Sequence, residues 1–315
     1  MRIAVFGVGG VGGYFGARLA QAGEEVIFIA RGEHLEAISQ QGLRLESPKG
    51  DHLVYPAACS ADPSQVGRVD VVLVGVKAWQ VPEAAQAIRP LVDAGTVVIP
   101  LQNGVEAPDQ LAAVLDHPGQ PRRVLGGLCR ISSYIAGPGH VRHAGIEPYI
   151  AFGALDGLLV ELAARLVESF RRSGVQAEIP NDIRMAMWKK FVFIASISGV
   201  GAVARLPVGE VRQVPQTRHL LLQALEEAAA VGRGCRVNLP QDTALLTLAQ
   251  IDSLPPGTIP SMQRDILERR PSELDSQTGA VVRLGEQCAI PTPVHAFLYA
   301  ALLPAELSAR HARSA

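Results

Sequence analysis

The distribution of apolar positions divides the chain into two parts with different periods. Residues 3–6 form a short apolar run, and a helix-spaced stretch from Val11 to about Gln21 follows and stops at Gly23. A second strand pattern covers residues 25–30. Residues 70–76 and 96–101 are continuous apolar runs of the kind expected for strands buried on both faces, with helical spacing over 81–92 between them. A run at 124–129, reached through helical spacing around 107–115, reads as another central strand. This alternation predicts an α/β fold around a parallel sheet with right-handed crossovers. Residues 42–67 read as irregular, with β-like pieces at 43–45 and 53–57. Over 134–152 the strands shorten around Gly137-Pro138-Gly139 and Ala144-Gly145 turns, which predicts an antiparallel extension. His140 and His143 flank that hairpin and read as surface residues. A helix over 158–172 and a strand over 176–179 complete the first part. Beyond Pro180 strand signals nearly vanish, and helices are predicted from Asn181 or Asp182 to about Ser198, over 216–235 and over 278–288.

Composition narrows the class. At 315 residues the chain is long for one core, so two domains are expected, 1–180 and 181–315. Apolar residues at 48% supply material to bury, and a net charge of −1 offers nothing to nucleic acid or to an anionic membrane. Cys59, Cys129, Cys235 and Cys288 lack the close spacing of a zinc site or disulfide framework, and the histidines fall in no metal motif. No signal-peptide pattern opens the chain and no apolar run approaches a membrane span, so a cytoplasmic protein is expected.

The first chemistry lies in Gly7, Val8, Gly9, Gly10, Val11 and Gly12, a G-x-G-x-x-G pattern between the first strand and the first helix. In that position Gly7 serves a tight turn, Gly9 close approach of a pyrophosphate, and Gly12 helix–strand packing. The helix N-terminus adds free N–H groups and partial positive charge. These features predict a Rossmann-type dinucleotide-binding domain. At the end of the second strand, where an NAD site usually carries an acid, the chain has Arg31, suited to a 2′-phosphate and so to NADP(H). Glu33 stands two residues further on. Lys77 and Asn103 each follow an apolar run abruptly, at strand ends where α/β sheets bind ligands.

These motifs, taken together, resemble the ketopantoate reductase (2-dehydropantoate 2-reductase) family over nearly the whole chain. The resemblance rests on the glycine turn, Arg31, Lys77-Ala78-Trp79-Gln80 and Gln102-Asn103-Gly104 on the cofactor side. It continues in Met187-Trp188-Lys189-Lys190-Phe191, in Pro260-Ser261-Met262-Gln263-Arg264-Asp265, and in Arg270-Pro271-Ser272-Glu273-Leu274-Asp275. It implies a catalytic lysine at Lys190, an active-site glutamate at Glu273 that also lies against the cofactor, and a substrate-binding serine at Ser261. Asn103 is implied at both substrate and cofactor, and Ser132 as a backbone contact to the cofactor. The implied reaction is NADPH-dependent reduction of a 2-keto acid, ketopantoate in the family. Ile194, Ser198 and Val208 stand where well-known members carry asparagines; Ser198 retains one hydrogen-bonding group and Ile194 makes the pocket more apolar. A related dehydrogenase acting on another keto acid or an imine, and a non-catalytic NADP(H) sensor, remain open alternatives. The apolar helices of the second part leave room for a homodimer.

Overall fold

In the computed structural model, which describes residues 1–116, 122–156 and 161–314, the chain forms two units. One holds Met1–Gln102 with Ala107–Ile183, the other Asn103–Glu106 with Arg184–Ala315. The first unit opens with β1 (Arg2–Phe6), α1 (Gly10–Gln21), β2 (Glu25–Ile29) and α2 (Gly32–Gln41). β3 (Leu43–Glu46), β4 (His52–Val54), β5 (Ala58–Ser60), β6 (Val71–Val74), α3 (Val81–Ala87), β7 (Val97–Pro100) and α4 (Ala107–Leu115) follow. β8 (Gly126–Arg130), β9 (Ser133–Gly137), β10 (His140–His143), β11 (Tyr149–Gly153), α5 (Glu161–Arg172) and β12 (Gln176–Glu178) complete it. The expected helix over 158–172 therefore begins, for its described residues, at Glu161; 158–160 lie outside them.

The main sheet is parallel, in the order β5-β2-β1-β6-β7, with Ile3 opposite Val26 on one side and Val71 on the other. Alternate residues of its strands feed two separate cores, which is why the strands are apolar at nearly every position. Val5, Phe28, Leu73 and Ile99 face α1 and α5, while Phe6, Ile29, Val74 and Val98 face α3 and α4.

Three expectations are corrected here. The run at 124–129 does not extend the main sheet as a full strand. Val124 makes one parallel bridge to Val98, through Val98 N–H to Arg123 and Leu125 N–H to Val98. The next donor in that ladder belongs to Pro100, which has no N–H, so the pairing stops. β8 then joins a separate sheet, antiparallel to β11, with β12 on the far side. The stretch 134–152 is likewise more than an antiparallel extension. β9 and β10 form an antiparallel hairpin, but β10 pairs in parallel with β3, so the residues read as irregular supply half of a four-stranded sheet β4-β3-β10-β9. This buries His143, which is 4% exposed. Its Nδ1 lies 2.8 Å from Ser47 Oγ and its Nε2 2.8 Å from the Ile146 carbonyl, so it is a satisfied core histidine.

The second unit has helices and loops but no strand among its described residues. α6 (Ile183–Ala204), α7 (Val208–Gln213) and α8 (Pro215–Gly234) lead to α9 (Thr243–Asp252), α10 (Ser261–Leu267), α11 (Ala280–Gln287) and α12 (Pro293–Ser314). α7, α9, α10 and α12 were not expected from periodicity. α6 is long and apolar enough to cross a membrane, yet 67% of its apolar window is buried within the protein. It crosses its neighbours at small residues: a Cβ on Gly199 would touch Leu298 of α12, and one on Gly201 would sit 2.4 Å from Gln263 of α10. Val208 lies buried at the start of α7, its N–H on the Thr258 carbonyl.

Candidate functional site

Within the first unit the glycine turn gathers three of the expected groups. Gly7 has φ +94°, a left-handed value that a side chain disfavours. A Cβ on Gly12 would lie 2.2 Å from the Gly7 carbonyl oxygen, so α1 can seat on the turn only with glycine there. Val8 is buried and Val11 half-buried, so both pack and present only backbone to a ligand. Gly7 N–H donates to the Ile29 carbonyl at 3.1 Å, bringing the end of β2, and with it Arg31, beside the turn. Gly7 also abuts the Val76 backbone, next to Lys77, and Gly10 packs on the Ser133 backbone, next to Ser132. Gln102 fixes the Lys77 loop: its buried Nε2 donates to the Val74 and Val76 carbonyls, both at 2.8 Å. The Lys77 ammonium lies 5.8 Å from the Trp79 ring centre. Ser132 uses its carbonyl to accept from Ala144 N–H at 2.8 Å.

The arrangement fits a dinucleotide. A Cβ at Gly9 would meet no atom within 4 Å, so a pyrophosphate can approach the backbone there. The N–H groups of Gly10, Val11 and Gly12 open α1 and have no carbonyl one turn back. Arg31 is exposed, and its side chain makes no hydrogen bond or ion pair among the described residues, leaving the guanidinium for an anion.

Within the second unit, two candidates 170 positions apart meet: Asn103 Nδ2 donates to Glu273 Oε2 at 3.1 Å. Glu273 is only 7% exposed, and burying a carboxylate is tolerable because donors surround it. Gln277, which sequence reasoning did not single out, is fully buried and sends a second, longer contact, 3.4 Å from Nε2, to the same oxygen. It is placed there by a π-helical turn, Asp275–Gly279, a distortion common at functional sites. No sequence signal marks that turn beyond Gly279. The segment carrying Asn103 is pinned by Arg283, which donates to Glu106 at 2.8 Å and to Asp275 at 2.9 Å, and by Gly104, whose φ of +108° permits contact with the Ser276 carbonyl.

α6 presents the lysine pair in the expected register. Met187, Trp188, Phe191 and Val192 face the core, Lys189 is exposed, and Lys190 is half-buried. Lys190, Ile194 and Ser198 follow at intervals of four along one face. Ser198 is 0% exposed and its Oγ has no hydrogen-bond partner among the described residues; Thr278 Oγ1, 3.3 Å from where a Gly199 Cβ would be, and Gln277 Oε1 are also buried without one among them. Ser261 opens α10, half-buried, its hydroxyl without a hydrogen bond among the described residues. Among those residues no group of three histidine, cysteine or acidic side chains could hold a metal.

Known proteins resemble the chain over nearly its whole length. The signature of the family described as Ketopantoate reductase PanE/ApbA matches residues 3–157, and that of its C-terminal part matches 182–306. The chain is 32% identical to 2-dehydropantoate 2-reductase of Archaeoglobus fulgidus, covering 93% of this chain and 94% of that protein. It is 31% identical to the uncharacterized oxidoreductase YkpB of Bacillus subtilis, over 96% and 98%. The crystal structure of a PanE/ApbA family ketopantoate reductase from Ralstonia eutropha superposes with a TM-score of 0.87 at 34% identity, covering 99% of this chain and 100% of that one. D-mandelate dehydrogenase, solved with NADH and anilino(oxo)acetate, shares the fold at 24% identity and a TM-score of 0.86.

Proposed function

The chain belongs to the ketopantoate reductase family and is an oxidoreductase, and on that premise we propose that it reduces a 2-keto acid with NADPH, converting 2-dehydropantoate to pantoate. The observation that carries the reading is the Asn103–Glu273 hydrogen bond, which joins two family-implied site residues from opposite halves of the sequence. The glycine turn and the α1 N-terminus hold the phosphates, Arg31 the 2′-phosphate, and Lys77 and Ser132 the nicotinamide ribose region. NADPH, when bound, supplies the hydride that reaches the carbonyl carbon. As negative charge builds on the carbonyl oxygen, the Lys190 ammonium stabilises it and gives the oxygen a proton from Nζ. Glu273, its Oε2 held by Asn103 and Gln277, orients Lys190 and accepts from a substrate hydroxyl. Ser198 and Ser261 supply hydroxyls to the substrate's polar groups.

Ile194 favours a second reading of the substrate, a bulkier or less hydroxylated 2-keto acid. Both are tested by following NADPH consumption with a panel of 2-keto acids that includes ketopantoate and its deoxy analogue. Turnover is expected, with ketopantoate preferred over the deoxy analogue by no more than about 200-fold, the ceiling for apolar discrimination. A preference well above about 1000-fold would show that other groups replace the lost amides. No turnover with any keto acid would leave the sensor reading.

A further inference from the structure

Two thiols outside the site described above lie in contact. Cys235 ends α8 and Cys288 ends α11, both half-buried, and their Sγ atoms are 3.0 Å apart with no bond between them. We propose that Cys235 and Cys288 form a reversible modification site, oxidised to an intramolecular disulfide by a low-molecular-weight disulfide such as glutathione disulfide. The inference does not depend on the proposed activity.

Three observations carry it. First, the two helix ends are closed in the same way. Val237 N–H returns to the Gly232 carbonyl and Ile290 N–H to the Gly285 carbonyl, so each cysteine sits on a capped, fixed backbone. Second, the residue after each cysteine is left-handed without being glycine, Arg236 at φ +62° and Ala289 at φ +55°. Non-glycine residues hold that conformation only where surrounding structure imposes it. Third, α8 lies directly on Cys288: a Cβ on Gly234 would be 3.0 Å from the Cys288 Cβ. A disulfide needs the sulfurs at about 2.05 Å, a closure of about 1 Å from the observed 3.0 Å.

The chemistry balances with the small disulfide alone. One cysteine thiolate attacks a sulfur of the small disulfide, forming a mixed disulfide and expelling one thiolate. The second cysteine thiolate attacks the protein sulfur of that bond, forming the Cys235–Cys288 disulfide and expelling the other. The two protons lost by the cysteines leave on the two small thiols, so the protein is oxidised by two electrons and the reagent reduced by two. Burial and the neighbouring Cys288 sulfur push the Cys235 thiol up to about 12, so attack by Cys235 is slow near neutrality and faster as pH rises. The bond would close a loop spanning 53 positions, and that loop carries Ser261, Glu273 and Gln277.

The test incubates the reduced full chain with glutathione disulfide at alkaline pH, followed by intact mass, peptide mapping and thermal unfolding. Expected are a loss of two hydrogen masses without retained glutathione, a peptide joining Cys235 to Cys288, and a Tm higher by several degrees that dithiothreitol reverses. Cys235→Ser and Cys288→Ser should each abolish the cross-link, whereas Cys59→Ser should leave it intact. A stable glutathione adduct on either cysteine of the unaltered chain, a cross-link through Cys59 or Cys129, or oxidation with no change in Tm would each overturn the proposal.

Discussion

Lys189 and Lys190 are adjacent in sequence and differ in surroundings because the helix turns about 100° between them. Met187, Trp188 and Phe191 fix the buried side of α6, with the Trp188 and Phe191 rings edge to face at 5.3 Å, so Lys189 is left in solvent and Lys190 at the margin of the core. Lys190→Ala is expected to lower kcat by about 10²–10⁴ with cofactor affinity nearly unchanged, because the proposed contact with the carbonyl oxygen would strengthen only as charge develops. Lys189→Ala should leave kcat within about twofold. Steady-state kinetics beside a cofactor titration checks both, and the reverse ranking would mean that the helix register is wrong. The lysine pair was legible in the chain through its resemblance to the family's Met187-Trp188-Lys189-Lys190-Phe191 segment. Gln277 was not: its amide reaches Glu273 only through a widened helical turn, and no residue spacing announces one.

The long C-terminal helix α12 depends on a carboxylate contributed by another element. Glu227 of α8 accepts from Val294 N–H at 2.8 Å and His295 N–H at 3.0 Å, and lies 3.0 Å from His295 Nδ1. Desolvation opposes ionisation of Glu227, but the His295 ring and the two N–H groups outweigh it and hold its carboxyl below the ordinary value of 4.5. A lowered folded value means that this stability is complete above the ordinary glutamate range and is lost as pH falls through the folded value. Glu227→Ala is expected to cost about 2–3 kcal/mol at pH 7, the scale of hydrogen bonds to a charged group at a helix N-terminus. Urea unfolding of both proteins at pH 7 and near pH 3.5 should show the difference shrinking at the lower pH. A gap that stays constant would mean that the carboxylate's charge contributes nothing. Periodicity could not reveal this cap, because the residue that makes it lies 67 positions before the Val294 N–H it accepts from.

At the scale of the molecule, cofactor binding should register as folding stability. A ligand at about 100 times its Kd stabilises the native state by about 2.7 kcal/mol, so NADPH should raise Tm and do so more than NADH at equal concentration. Arg31→Ala should weaken NADPH by about 1.5–3 kcal/mol, the range for a charge-assisted hydrogen bond, and leave NADH almost unaffected. Isothermal titration with both nucleotides decides the matter: equal losses would remove Arg31 from the 2′-phosphate site.

Local order was written in the sequence by itself. The apolar runs of β1, β2, β6 and β7 require a sheet covered on both faces, and the glycine turn requires α1 to start where it does. The loss of strand signals after Pro180 separates a helical second unit from the first. These features are legible because burial imposes a period on neighbouring residues. Partnership between distant segments was decided only by tertiary structure. A missing N–H at Pro100 sends β8 to another sheet, β10 finds β3, and Asn103 meets Glu273. The contact of Cys235 with Cys288 arises in the same way, from two helix ends that no spacing connects. Each of these depends on which surfaces remain uncovered once the local elements have formed, and a one-dimensional pattern does not encode that.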